Sequence, residues 1–149
     1  MNRQILRSVL WVCLLLAAAF AGWSWFRPYA WAPDPGARAE VVETLVTRDQ
    51  TFYWVEIHLK IRPGLSHDLQ KPIRLATAAG HTLEAADTTL SGLNGQQITE
   101  IWLKFWLEPA DLHGPLTLHL NDGKLQIKTG PEIPPLRNSL STNFTTHHW

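Results

Sequence analysis

The side chains here with the chemistry to bind a metal or move a proton are seven histidines, thirteen acids and one cysteine. His147 and His148 are adjacent, but neighbouring histidines share an ion only if the local backbone turns both rings together. A tetrahedral site also needs further ligands from elsewhere. Polar surface residues are therefore the default reading and a metal at His147 and His148 the exception. His58 and His119 fall on outward strand positions, while His67, His81 and His113 sit near turns. Glu56 and Glu100 also fall outward, where a solvated pair with Lys60 or Lys104 is the ordinary outcome and acid/base chemistry the rare one. No G-x-S-x-G elbow, H-E-x-x-H pair, glycine-rich phosphate loop or EF-hand loop occurs. Cys13 lies inside an apolar run, so the remainder of the chain can form neither an internal disulfide nor a thiolate site. We expect no catalytic residue, no cofactor and no enzymatic activity. The rival class is a metal-handling or small hydrolytic envelope protein that uses the histidines.

A different chemistry is written in "ITEIWLKFWL", Ile98 to Leu107. Thr99, Ile101, Leu103, Phe105 and Leu107 make the buried face of a strand, which leaves Trp102 and Trp106 on the wet face beside Glu100 and Lys104. In "TFYWVEIHLKIR", Tyr53, Val55, Ile57, Leu59 and Ile61 alternate in the same way with Trp54, Glu56, His58, Lys60 and Arg62. If the two strands pair, Trp54, Trp102 and Trp106 share one outer surface with His58 and Lys104. Indole rings are enriched where partners dock, and soluble monomers seldom leave such a patch bare. This face is the candidate interaction surface, for another protein or a second copy. Three different fates compete for the same rings. Lys and Glu stems or the chain's own tail cover them; the face lies on a membrane; or the indoles stack on sugar rings, as in a carbohydrate-binding module.

The elements that position this face are strands. "EVVETLVT" is a weaker strand, "PIRLAT" and "HTLEAAD" are short ones joined at "AAGH", and "SGLNGQQ" is a loop. "PLTLHL" and "KLQIKT" flank Asn121-Asp122-Gly123, a strong hairpin signal. "EPADLHG" has room for one helical turn. About seven short strands in roughly ninety residues predict an all-β chain, an immunoglobulin-like antiparallel β-sandwich over residues 39–130. The order of "TFYWVEIHLKI", a short hairpin, a loop, "ITEIWLKFWLEP" and "GPLTLHL" resembles the telokin-like, immunoglobulin-type domains of bacterial extracytoplasmic proteins, across Val41 to Lys128. That resemblance implies a binding or scaffolding module and supplies no catalytic residues.

The N-terminus supplies a location. Residues 1–7 carry Arg3 and Arg7, and Ser8 to Phe26 are nineteen residues without a charge. As a helix they reach roughly 28 Å, near the hydrocarbon thickness of a bilayer. The positive-inside rule favours a cytoplasmic N-terminus and a domain on the extracytoplasmic, periplasmic side. A signal peptide cleaved near Ala21 exports the domain equally. Trp23, Trp25, Tyr29 and Trp31 crowd around Arg27, which suits the headgroup layer and favours a retained anchor. Residues 27–38, with Pro28, Pro33, Pro35 and Gly36, read as a stiff juxtamembrane linker.

With Arg3 and Arg7 set aside, eleven basic residues face thirteen acids. That balance excludes a basic nucleic-acid surface. The tail, residues 131–149, has the composition of a disordered segment until Phe144 and Trp149, two large rings with reason to dock on the chain's own domain or on a partner. "NFT" at Asn143 matches a glycosylation acceptor, relevant only in a eukaryotic host.

Overall fold

The computed structural model describes residues 3–93, 97–136 and 140–149. The uncharged run forms the body of one helix, α1 (Arg3–Trp25), whose residues are none of them buried. It is long and apolar enough to cross a membrane. It ends three residues before Pro28, which cannot continue a helix and restricts the residue before it.

Every strand after it pairs antiparallel. Two long strands, β1 (Ala39–Asp49) and β2 (Phe52–Ile61), form a hairpin turned by Gln50 at φ 55°. A bulge between Val41 and Glu43 breaks the alternation of β1, so Val41, Thr44 and Val46 are buried while Val42 is exposed. That shift is why this segment carries a weaker pattern than its neighbour. β3 (Arg74–Thr77) and β4 (Thr82–Glu84) meet at Gly80, which takes φ 86°. β5 (Asp87–Leu93) and β6 (Gln97–Leu107) follow, then one helical turn, α2 (Pro109–Leu112). β7 (Leu116–Leu120) and β8 (Gly123–Lys128) form the hairpin at Asn121-Asp122, with Asn121 at φ 52°. β9 (Ser141–Phe144) lies in the tail.

These strands make two sheets, ordered β5-β6-β2-β1-β9 and β4-β3-β7-β8. Their buried side chains join in one core. The first sheet contributes Val55, Ile57, Leu59, Ile101, Leu103 and Phe105, and the second Leu75, Leu116, Leu118, Leu120 and Ile127. Burying each such side chain stabilises the fold by about 1.5–3 kcal/mol before entropy is counted.

Several expectations need correction. The described residues contain nine strands, not about seven. Part of the expected loop "SGLNGQQ", residues 91–93, belongs to β5, and residues 94–96 of that loop lie outside the described residues. β5 is an edge strand whose side chains from Asp87 to Gly92 are all exposed, so it has no buried face to print a period of two. "HTLEAAD" is not one strand either: it leaves the four-stranded sheet after Glu84 and enters the five-stranded sheet at Asp87.

The supposed linker is also part of the fold. Tyr29 and Ala37 sit in the core, and Asp34 accepts the N–H groups of Gly36 and Lys124, each at 2.8 Å. Gly123 allows this: a Cβ there would lie 2.1 Å from the Ala37 nitrogen, so only glycine lets the 35–37 turn approach β8. Arg38 and Lys71 both bind the Asp122 carboxylate, and Lys71 foremost holds that carboxyl below the usual range. The tail folds likewise, with β9 added beside β1 and Pro134 and Trp149 buried.

Candidate interaction face

The β2–β6 register sets Trp54 opposite Trp106, Glu56 opposite Lys104, His58 opposite Trp102 and Lys60 opposite Glu100. The three indoles, His58 and Lys104 therefore share the outer face of the five-stranded sheet. Phe52 joins them, its ring centroid 4.4 Å from that of Trp106. Its signal in the sequence is simple parity, two residues before Trp54 on the same strand.

Each ring is held differently. Trp54 donates its indole N–H to Asp49 Oδ2 at 3.3 Å and lies beneath Lys104 Nζ at 4.8 Å from the ring centre. Trp102 is stacked under the His58 imidazole, centroids 4.5 Å apart and planes inclined by 10°. His58 Nε2 in turn meets Glu100 Oε2 at 3.1 Å, with Glu43 Oε1 3.9 Å from Nδ1. Trp106, packed only on Phe52 among ring neighbours in the described residues, remains 42% exposed. A cleft of about 260 Å³ opens beside Trp102, lined also by Glu56, Asp87, Thr89 and Lys104. The result is an apolar ridge edged by carboxylates and by the ammonium groups of Lys60 and Lys104, a composition suited to docking.

Phe144 and Trp149 do not cover this ridge. Phe144 lies opposite Thr44, an inward position of β1, while β1 and β2 separate β9 from β6 in the sheet. Trp149 stacks on Phe144 at 4.6 Å, 12° from parallel, and donates its N–H to the Tyr29 hydroxyl at 2.7 Å. Tyr29 donates to the Ile127 carbonyl at 2.5 Å. Burial pushes the Tyr29 hydroxyl up to about 12, against smaller lowering by Thr44 and Trp149. The tail therefore fills the chain's own core at the far edge of the sheet. Below it Lys128, fully buried, donates to the carbonyls of Gly114 and Gly130, and burial lowers its pKa.

Of the four aromatic residues expected in a headgroup layer, Tyr29 must be withdrawn, because it is a buried core residue with its hydroxyl bonded inside the domain. Trp23, Trp25 and Trp31 remain exposed around the end of α1. Arg27 lies between two of them, 4.0 Å from the Trp23 ring centre and 4.5 Å from that of Trp31. Trp25 stacks on His148 at 4.9 Å.

His147 and His148 lie with ring centroids 4.1 Å apart, and burial, then the neighbouring His148, lowers the pKa of His147. Among the described residues no group of three or more His, Cys, Asp or Glu side chains is arranged to hold a metal ion. Elsewhere His81 Nδ1 meets the buried Asp111 Oδ1 at 2.6 Å, with the Thr77 hydroxyl donating to the same oxygen at 3.4 Å. The His81 backbone N–H also donates to that hydroxyl, which closes the Gly80 turn. Compared with protein-family models, curated proteins and solved structures, the chain matches none.

Proposed function

We propose that this chain is a non-enzymatic binding or scaffolding module, tethered by α1 and facing the extracytoplasmic side, whose docking face is the outer β2–β6 surface. The observation that carries the reading is the exposed Trp106, grouped with Phe52, Trp54 and Trp102 on one sheet face that the described residues of the tail leave open. Large rings in such a patch gain most when a partner removes them from water. Arg3 and Arg7 ahead of the apolar helix support the orientation.

The strand order supports an immunoglobulin-like sandwich. One sheet runs β1-β2-β6-β5 with β9 added at its edge, and the other β4-β3-β7-β8. Taking β4 as the extra strand after the third, this is the A-B-E-D and C-F-G arrangement of that fold.

The test is a photo-crosslinking amino acid at position 106, with position 119 on the other sheet as control, in the full chain expressed in membranes. A discrete adduct with a second copy or another envelope protein from 106, absent from 119, is expected. Equal crosslinking from both positions would reject the docking face.

A further inference from the structure

A second site lies where α1 enters the domain. A cavity of about 420 Å³ is lined by Ser24, Arg27, Trp31, Asp34, Lys124 and His147, among others. We propose that this cavity holds the phosphate headgroup of an anionic phospholipid, with Arg27 as the principal ligand. The proposal rests on reading α1 as a membrane anchor.

Covalent geometry fixes the height of the cavity. Ser24 belongs to α1 and Arg27 follows its last residue by two, so a membrane-embedded α1 puts this cavity at the headgroup layer. Trp23, Trp25 and Trp31 are exposed at the same level, as interfacial indoles are.

Arg27 has the chemistry for a phosphate. The indoles of Trp23 and Trp31, themselves edge to face with centroids 5.2 Å apart, both pack against its guanidinium and hold the group at the cavity wall. Its Nε is buried and has no hydrogen-bond partner among the described residues. A phosphate oxygen in the cavity meets the guanidinium with charge assistance. An unmet buried N–H costs free energy, which favours a side-chain shift that brings Nε to that oxygen. Lys124 adds a second cation. Asp34 opposes both, but its carboxylate already accepts the backbone N–H groups of Gly36 and Lys124. With Arg27 and Lys124 against Asp34, the wall keeps one net positive charge. The neighbouring cavity, about 650 Å³ and lined by Trp25, Ile133, Pro134, Phe144 and Trp149, is apolar and offers no comparable cation.

The experiment reconstitutes the full chain into vesicles of phosphatidylcholine with or without phosphatidylglycerol and counts retained lipids by native mass spectrometry. The wild type should retain one phosphatidylglycerol in preference to phosphatidylcholine. R27Q should lower that retention at least about fivefold, with R27K between the two because it keeps the charge but loses the planar fork. K124Q, an exposed substitution that leaves folding intact, should lower it less. Equal retention by all four proteins would mean annular lipid only and overturn the proposal. Stabilisation by inorganic phosphate with no retained lipid would overturn the lipid source. Carbonate extraction and intact mass separate the premise: a chain washed off the membrane or cleaved after Ala21 removes the anchor and the proposal together, whereas an anchored chain retaining no lipid removes the proposal alone.

Discussion

The Trp149 indole N–H donates to the Tyr29 hydroxyl at 2.7 Å, across a sequence separation of 120 residues. The bond joins the last residue of the tail to the segment that follows α1, and it does so inside the core. Tyr29→Phe leaves both Trp149 Nε1 and the Ile127 carbonyl without that partner, so a loss of about 1–3 kcal/mol is expected. Trp149→Phe keeps a ring against Phe144 and should cost a similar amount, while Trp149→Ala opens a cavity and should cost about 3–5 kcal/mol. Urea unfolding of the full chain in detergent measures all three, and the double variant Y29F/W149F should cost less than the sum of its parts. Strict additivity would mean the two side chains do not share the bond.

The same hydroxyl makes stability depend on alkaline pH. Its pKa is raised from 10.0 to about 12 by burial, so the folded state holds the proton after the unfolded chain has released it. A raised folded pKa gives stability that is whole below the unfolded value and declines as pH rises toward the folded one. The loss should fall between pH 10 and 12 and amount to about 2–3 kcal/mol, at 1.36 kcal/mol per unit. Unfolding midpoints from pH 9 to 12 measure it. Tyr29→Phe should flatten this limb, and an equally steep limb in the variant would assign the decline to other groups.

What can be read from the residues follows from how much each element depends on its own pattern. β2 alternates over its ten residues and β6 from Glu100 to Leu107 because one face of each is core, and that same parity puts Trp54, Trp102 and Trp106 on the other face. A bulge opposite Ser91 and Gly92 ends the alternation of β6, so Ile98 packs on the core and Thr99, expected inward, is only half-buried. Asn121-Asp122 marks the β7–β8 turn by local chemistry alone. β5 and β9 have no such autonomy. β5 is exposed along its edge, and the four residues of β9 take their place from pairing with β1 and from the Trp149 contact. Tyr29 illustrates a different limit: a ring with a polar tip suits a headgroup layer and a core with internal acceptors equally, and only the chain's path brings Ile127 and Trp149 within reach.

Gly130 should prove indispensable to the docked tail. A Cβ there would lie 2.3 Å from the Trp149 carbonyl oxygen, which accepts the Gly130 N–H at 3.0 Å. The obstacle is backbone, so no rotamer relieves it, and Gly130→Ala must push residues 147–149 outward. Tryptophan emission should shift to the red and the unfolding midpoint should fall by at least about 1 kcal/mol equivalent. Unchanged emission and stability would show that the tail is not seated against β8.

Adjacent residues on β6 separate docking from folding. Phe105 is fully buried, and Phe105→Ala should cost about 3–5 kcal/mol whatever the chain binds. Trp106 points the other way, is 42% exposed and loses chiefly its contact with Phe52, so Trp106→Ala should move stability by less than about 1 kcal/mol. If the outer face docks a partner, that nearly silent substitution should weaken the crosslinked adduct about tenfold or more, since truncating an aromatic anchor in an interface costs at least about 2 kcal/mol. Moving the crosslinker to position 54 while alanine stands at 106 reads the adduct without disturbing the fold. A Trp106→Ala chain that keeps its partner at full strength would show that the exposed ring is not an anchor, and a chain that unfolds would show that the ring belongs to the core.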